Sequence, residues 1–163
     1  MSAQDFFFAD PALASRYVDG PPRFVPGHQD MLRMAAMLLA EDAPADAKVL
    51  VLGAGGGIEL RYFASAHAGW RFTGVDPSAQ MLAVARSTLG ELASRCELIE
   101  GTIDAAPAGP FDAASCLLTL HMIPDDGSKL ATLQAIRSRL HPGAPFVIVD
   151  HCLDRRDPQF ERK

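Results

Sequence analysis

Residues 48–63, KVLVLGAGGGIELRYF, carry an aliphatic run into a helical pattern through four glycines in five positions. No other segment constrains the chain as strongly. Lys48 to Leu52 is almost entirely aliphatic and does not alternate, which is how a strand buried on both faces of a parallel sheet reads. Gly53, Gly55, Gly56 and Gly57 permit left-handed backbone angles and place no Cβ between the loop and whatever approaches it. The helix that follows points its N-terminus at the same space. Strand, glycine turn and helix in this order cradle a nucleotide, although glycine-rich turns without a ligand also occur.

The glycine spacing separates two kinds of nucleotide loop. A dinucleotide loop has Gly-x-Gly-x-x-Gly, its last glycine letting helix and strand pack closely beneath a pyrophosphate. That position is Ile58, and the spacing here is Gly53, Gly55, Gly57. A second strand, Trp70 to Val75, ends in Asp76. Pro77 then opens a helix whose Met81, Leu82, Val84, Ala85 and Leu89 fall at helical spacing. Asp76 lies 23 residues after Gly53, where an acidic side chain at the strand tip can accept hydrogen bonds from a ribose diol. The competing reading is a carboxylate that only caps the next helix.

Taken in order, these pieces resemble the class I S-adenosylmethionine-dependent methyltransferases. Gly-x-Gly-x-Gly resembles their first motif, GVDPSAQML (74–82) the second and LIEGTIDAAP (98–107) the third. FDAASCLLTLHMIP (111–124) resembles the fourth strand with its substrate-facing end, and LQAIRSRLHPGAPFVIVD (133–150) the helix, Pro-Gly turn and fifth strand. Before the first strand, RFVPGHQDMLRMAAMLLAE (23–41) is similar to the entry of carboxy-S-adenosylmethionine synthase and related small bacterial methyltransferases. There an aromatic after Val-Pro-Gly touches the cofactor, and His28 holds that position.

The resemblance implies S-adenosylmethionine as cofactor. Its contacts would fall on His28, Gly53, Ala54, Gly55, Gly57, Asp76, Pro77, Thr102, Ile103 and Leu117. Two positions depart from the family pattern. Val51 stands where an acid two residues before the first glycine supports the methionine amino group. Thr102 stands where the third motif often has an aspartate for the adenine amine, with Asp104 two residues on.

The expected fold is α/β: a Rossmann-like, doubly wound, mostly parallel sheet with helices on both faces. Strands are predicted near 48–52, 71–75, 96–99, 112–117 and 145–150, and helices near 29–41, 57–67, 78–93 and 127–140. Residues 1–26 read as an N-terminal arm or lid, with Phe6, Phe7, Phe8, Tyr17 and Phe24 either folding over the site or packing on the sheet. Residues 27–163 read as the S-adenosylmethionine-binding domain. The helix and antiparallel strands that follow the fifth strand in this superfamily are missing, so the chain is expected to be part of a longer protein. The alternative is a reduced sheet whose edge a partner covers, a homodimer being one such arrangement.

A chain of 163 residues suits one domain, and 48% apolar with 21% charged residues is ordinary for a soluble protein. The net charge of −5 weighs against broad phosphate-backbone binding. No apolar run approaches the ~20 residues of a membrane span, and the N-terminus does not read as a secretion signal. Cys96, Cys116 and Cys152 have neither disulfide nor metal spacing and read as reduced thiols in a cytoplasm. No metal site is predicted.

The implied reaction is transfer of the sulfonium methyl to a small-molecule acceptor by in-line displacement, the protein mainly positioning the reactants. His121, after strand four, is placed to accept a proton or to line the wall. Asp150 and His151 stand at the tip of strand five. The alternatives are a synthase-like transferase that builds a carboxylated cofactor, and a non-catalytic cofactor-binding partner module. A nicotinamide dehydrogenase is disfavoured by Ile58.

Overall fold

The computed structural model describes residues 20–151. The arm aromatics Phe6, Phe7, Phe8 and Tyr17, the thiol of Cys152 and the basic tail lie outside them. A four-residue helix, α1 (Pro21–Phe24), precedes α2 (His28–Asp42), and then strands and helices alternate. They are β1 (Lys48–Leu52), α3 (Ile58–Ala66), β2 (Arg71–Asp76), α4 (Ala79–Leu89), β3 (Cys96–Glu100), β4 (Ala113–Leu117), α5 (Ser128–Ser138) and β5 (Phe146–Val149). All four strand pairings are parallel, in the order β3-β2-β1-β4-β5. The order reverses between β1 and β4, so a crevice opens beyond the carboxyl ends of these two strands.

Alternate residues of β1 serve opposite faces of the sheet. Val49 and Val51 join Met31, Leu32 and Leu39 of α2, Leu60 and Phe63 of α3, and Leu82 and Leu89 of α4 in one core. Leu50 and Leu52 join Val75, Cys116 and Ile136 of α5 in the other. Burying each such side chain contributes on the order of 1.5–3 kcal/mol, which is why β1 is apolar from Val49 to Leu52, after the exposed Lys48. The sheet is doubly wound but lopsided, with three helices on one face against α5 and short 3-10 turns on the other.

Most element ends lie within two residues of the sequence expectation, and two of the shifts stand out. The helix predicted to run to residue 93 ends at Leu89, where Gly90 takes φ +54° and a 3-10 turn, Gly90–Arg95, begins. The turn brings Arg95 under α3, where its guanidinium donates to the carbonyls of Ala64, His67 and Trp70 and satisfies the end of that helix. The fourth strand starts at Ala113; just before it, Asp112 pairs with Lys48 through both its amide, which donates to the Lys48 carbonyl at 2.9 Å, and its carboxylate, which accepts from the Lys48 amide at 2.8 Å.

Within the larger core, Glu59 in the first turn of α3 is buried and accepts a hydrogen bond from the Ser115 hydroxyl of β4. Burial pushes its carboxyl up to about 8 from an ordinary 4.5, the Ser115 hydrogen bond pulling the other way. Between these two values the folded protein keeps a proton that the unfolded chain has released, so stability falls as pH rises through this window. Glu59→Gln removes the ionisation while keeping the hydrogen bond. Thermal melts near pH ~5 and ~8.5 are expected to show a decline for the parent protein and a nearly flat response for Glu59→Gln, with the variant the more stable at the higher pH. Equal slopes would contradict this assignment.

Candidate functional site

The carboxyl ends of β1, β2 and β4 open into a cavity of about 740 Å³, within the range of small-ligand sites. Of the residues singled out from sequence, Gly53, Gly55, Asp76, Pro77, Thr102, Ile103 and Leu117 line it. Ala54, Gly57, His28 and His121 do not. The wall is completed by residues that sequence reasoning did not single out, chiefly Met81 of α4 and Leu118, Thr119, Met122 and Ile123 after β4. The resemblance marked that last stretch only as the substrate-facing end of the fourth strand, without naming residues; the β1–β4 pairing brings it opposite the glycine loop.

The loop is held by the neighbouring strand. The amides of Gly53 and Ala54 both donate to the Val75 carbonyl, at 2.8 and 3.0 Å. The Gly55 amide donates to Asp76 Oδ2 at 2.8 Å, while Asp76 Oδ1 accepts from the Ser78 amide at 2.9 Å. Each carboxylate oxygen therefore has one backbone partner and retains acceptor capacity. Burial pushes the Asp76 carboxyl above its ordinary value, and the two backbone hydrogen bonds work against that shift. The cap of α4 falls to Ser78, whose hydroxyl accepts from the Met81 amide at 3.2 Å. Asp76 is thus a cavity-lining strand-tip carboxylate and not the helix cap.

Gly53, Gly55 and Gly57 adopt positive φ, whereas Gly56 does not. Two of these glycines answer to the protein's own packing. A Cβ on Gly53 would come within 1.9 Å of the Thr119 hydroxyl oxygen, and one on Gly57 within 2.9 Å of the Ala85 backbone in α4. Gly57 therefore permits close approach of α3 and α4. Opposite the loop, Leu118 is left-handed at φ +52°, a conformation that costs a non-glycine residue ~1–2 kcal/mol. Its amide donates to the Val149 carbonyl at 2.7 Å, which ties the kink at the end of β4 to β5.

His28 opens α2, buried, with its Nδ1 lacking a hydrogen-bond partner; burial lowers its pKa. His121 sits in the 3-10 turn Leu120–Met122, one residue before the cavity-lining Met122. Its Nδ1 lies 2.5 Å from Asp150 Oδ1, its amide donates to Asp150 Oδ2 at 2.8 Å, and the His151 amide donates to Oδ1 at 2.7 Å. The rings of His121 and His151 meet edge to face at 5.0 Å. Among the described residues no cluster of three or more His, Cys, Asp or Glu is arranged to hold a metal. The Cys96 and Cys116 thiols are free, and burial pushes that of Cys116 up to about 12. A second, open groove of about 400 Å³ lies between α2 and α3, lined by residues such as Arg33, Met37, Tyr62 and His67. No strand end faces it, so the strand-end cavity is the candidate site.

Residues 50–146 match the methyltransferase domain family. The chain is similar to the ubiquinone biosynthesis O-methyltransferase of Vibrio parahaemolyticus, 33% identical over 135 residues, covering 80% of this chain and 55% of that protein. The protein of the same name from Idiomarina loihiensis is 35% identical over 137 residues, covering 81% of this chain and 54% of its own length. The chain thus spans about half the length of these relatives. Among solved structures it is similar to an S-adenosylmethionine-bound amino pentose methyltransferase of calicheamicin biosynthesis from Micromonospora echinaspora. That match has a TM-score of 0.66 and 25% identity, covering 78% of this chain and 52% of that one.

The contact between Gly53 and Thr119 yields a stability test. Gly53→Ala meets both the left-handed penalty and the Thr119 side chain, and is expected to destabilise the protein well beyond the ~1–2 kcal/mol of the backbone effect alone. In a Thr119→Gly background the same substitution should cost only the backbone part. Denaturant titration of the four proteins measures the coupling, and additive effects would show that the two residues do not meet.

Proposed function

We propose, on the premise that this chain belongs to the methyltransferase domain family, that it binds S-adenosylmethionine in the strand-end cavity and transfers its methyl group to a small-molecule acceptor. The observation that carries this reading is the convergence of the glycine loop and Asp76 on one cavity, joined by the hydrogen bond from Gly55. The residues present fit an adenosine. Asp76 offers acceptor capacity to a ribose diol, each such bond to a charged acceptor contributing ~1.5–3 kcal/mol. Thr102 and Ile103, just after β3, line the cavity together with Met81 of α4, two apolar side chains and a hydroxyl suited to a flat base. Gly53 and Gly55 supply the backbone beneath the remaining chain of the ligand and Leu117 the wall from β4, while Ala54 and Gly57, outside the lining, enter the proposal only by holding the path of the loop.

The cofactor supplies an electrophilic methyl carbon on sulfur. What the chain supplies is position: holding two reactants in line can remove up to ~7–11 kcal/mol from a barrier. Val51 is fully buried and brings no charge to the methionine end, so binding there falls to main-chain groups. His28 joins the proposal through its unpartnered Nδ1 alone, since it lies outside the cavity lining. The O-methyltransferase and amino pentose methyltransferase names of the relatives support a small acceptor. A cytoplasmic setting goes with the proposal, supported by the free thiols of Cys96 and Cys116. Among the described residues no helix is long and apolar enough to cross a membrane.

Calorimetric titration with S-adenosylmethionine, S-adenosylhomocysteine and NAD tests the reading. Binding of both sulfur nucleotides with no response to NAD is expected. Asp76→Ala should weaken that binding at least ~10-fold, or ~1.4 kcal/mol; unchanged affinity would mean that the ribose is held elsewhere.

A further inference from the structure

We infer that the exposed face of α2 between Arg33 and Glu41 is a docking surface for a second copy of this chain, the two helices packing antiparallel about a two-fold axis at Met37. Met34, Met37 and Leu38 are 58%, 59% and 50% exposed. They are three of the seven large apolar side chains exposed among the described residues, and they fall within five consecutive positions of one helix. Singly exposed apolar residues are ordinary, whereas a contiguous set marks a surface that another molecule covers. The opposite face of α2 already buries Met31, Leu32, Ala35 and Leu39 in the larger core, so the helix is apolar on both sides.

The charges on this face say what that molecule is. Arg33 and Glu41 lie on the same i, i+4 row as Met37, one four residues before it and the other four after. Each stands about 6 Å along the helix axis from Met37. A two-fold axis at Met37 lays position 33 of one copy against position 41 of the other, so that the same Arg–Glu pair forms twice. Neither Arg33 nor Glu41 has an ion-pair partner among the described residues. Asp30, the remaining charge on this side of the helix, falls opposite Pro44 and meets no like charge. A parallel pairing would instead set Arg33 on Arg33 and Glu41 on Glu41.

Beside the row runs the open groove between α2 and α3. Ala36 and Ala40 line it from α2, and Tyr62, Ala66 and His67 from α3 and its end. Small side chains next to a ridge of larger ones let two helices approach closely, and i±4n rows interdigitating at a crossing of about 50° are a common way for helices to pack. In that arrangement the Met37 side chain of each copy enters the groove of the other, and Met34 of one lies near Leu38 of the other. Methionine adapts its shape to such a contact. The surface shares no residue with the strand-end cavity, so the contact takes nothing from the candidate site.

Sedimentation equilibrium of the full chain over a range of concentrations tests the inference. A monomer–dimer equilibrium is expected for the parent protein. Arg33→Glu and Glu41→Arg should each weaken the dimer ~10-fold or more, because each turns two opposite-charge pairs into two like-charge pairs. The double variant Arg33→Glu/Glu41→Arg restores the opposite pairs and is expected to dimerise within about threefold of the parent. Met37→Glu, which sets two carboxylates together on the axis, should leave the protein monomeric. All three positions are exposed, so these changes leave the two cores intact. A parent protein that stays monomeric at every concentration overturns the inference. So does a dimer that the single reversals do not weaken, that the double reversal does not recover, or that Met37→Glu leaves in place.

Discussion

The hydrogen bond from the Gly55 amide to Asp76 Oδ2 is the interaction on which the rest of the site depends. It joins the loop after β1 to the tip of β2, and with the two amides donated to the Val75 carbonyl it sets the loop's path before any ligand arrives. A carboxylate that serves as both scaffold and ligand acceptor must keep capacity for both tasks. Asp76 does so by giving each oxygen one backbone partner. Its burial raises the cost of charge, and the same burial strengthens every hydrogen bond it makes.

That loop is possible because the sheet beneath it is covered on both faces. β1 contributes side chains alternately to two cores, and the helices above them can approach closely only where the chain is small. Gly57 lets α4 come against the start of α3, and Gly53 leaves room for Thr119. The glycine pattern thus combines two demands, one from the protein's own packing and one from the cavity, and the packing demand is the one that stability measurements can see. Glu59 carries a similar double burden, its buried carboxyl tying α3 to β4 at the expense of stability above neutrality.

Much of this was legible in the sequence because it rests on short-range patterns. The unbroken aliphatic run of β1, the glycine turn and the acid at the tip of β2 each follow from local chemistry, and together they located the loop, the second strand and the sheet direction. The packing reason for Gly53 and Gly57 was not legible, since it depends on Thr119 and Ala85, which pairing and crossover bring near. The left-handed turn at Leu118 carries no glycine or asparagine to announce it. The pairing of His121 with Asp150, 29 residues apart, needed the β4–β5 register. His28 was placed by similarity of a short segment, and the fold puts it at the head of α2 outside the cavity.

Membership of the family fixes the fold and narrows the chemistry. The most direct test of the central claim is a nitrogen-15 amide spectrum of the protein titrated with S-adenosylhomocysteine. The account predicts the largest shifts at Gly53, Gly55 and Asp76, followed by Thr102 and Ile103. Shifts confined to the groove between α2 and α3, with the Gly55 and Asp76 amides unmoved, would contradict it.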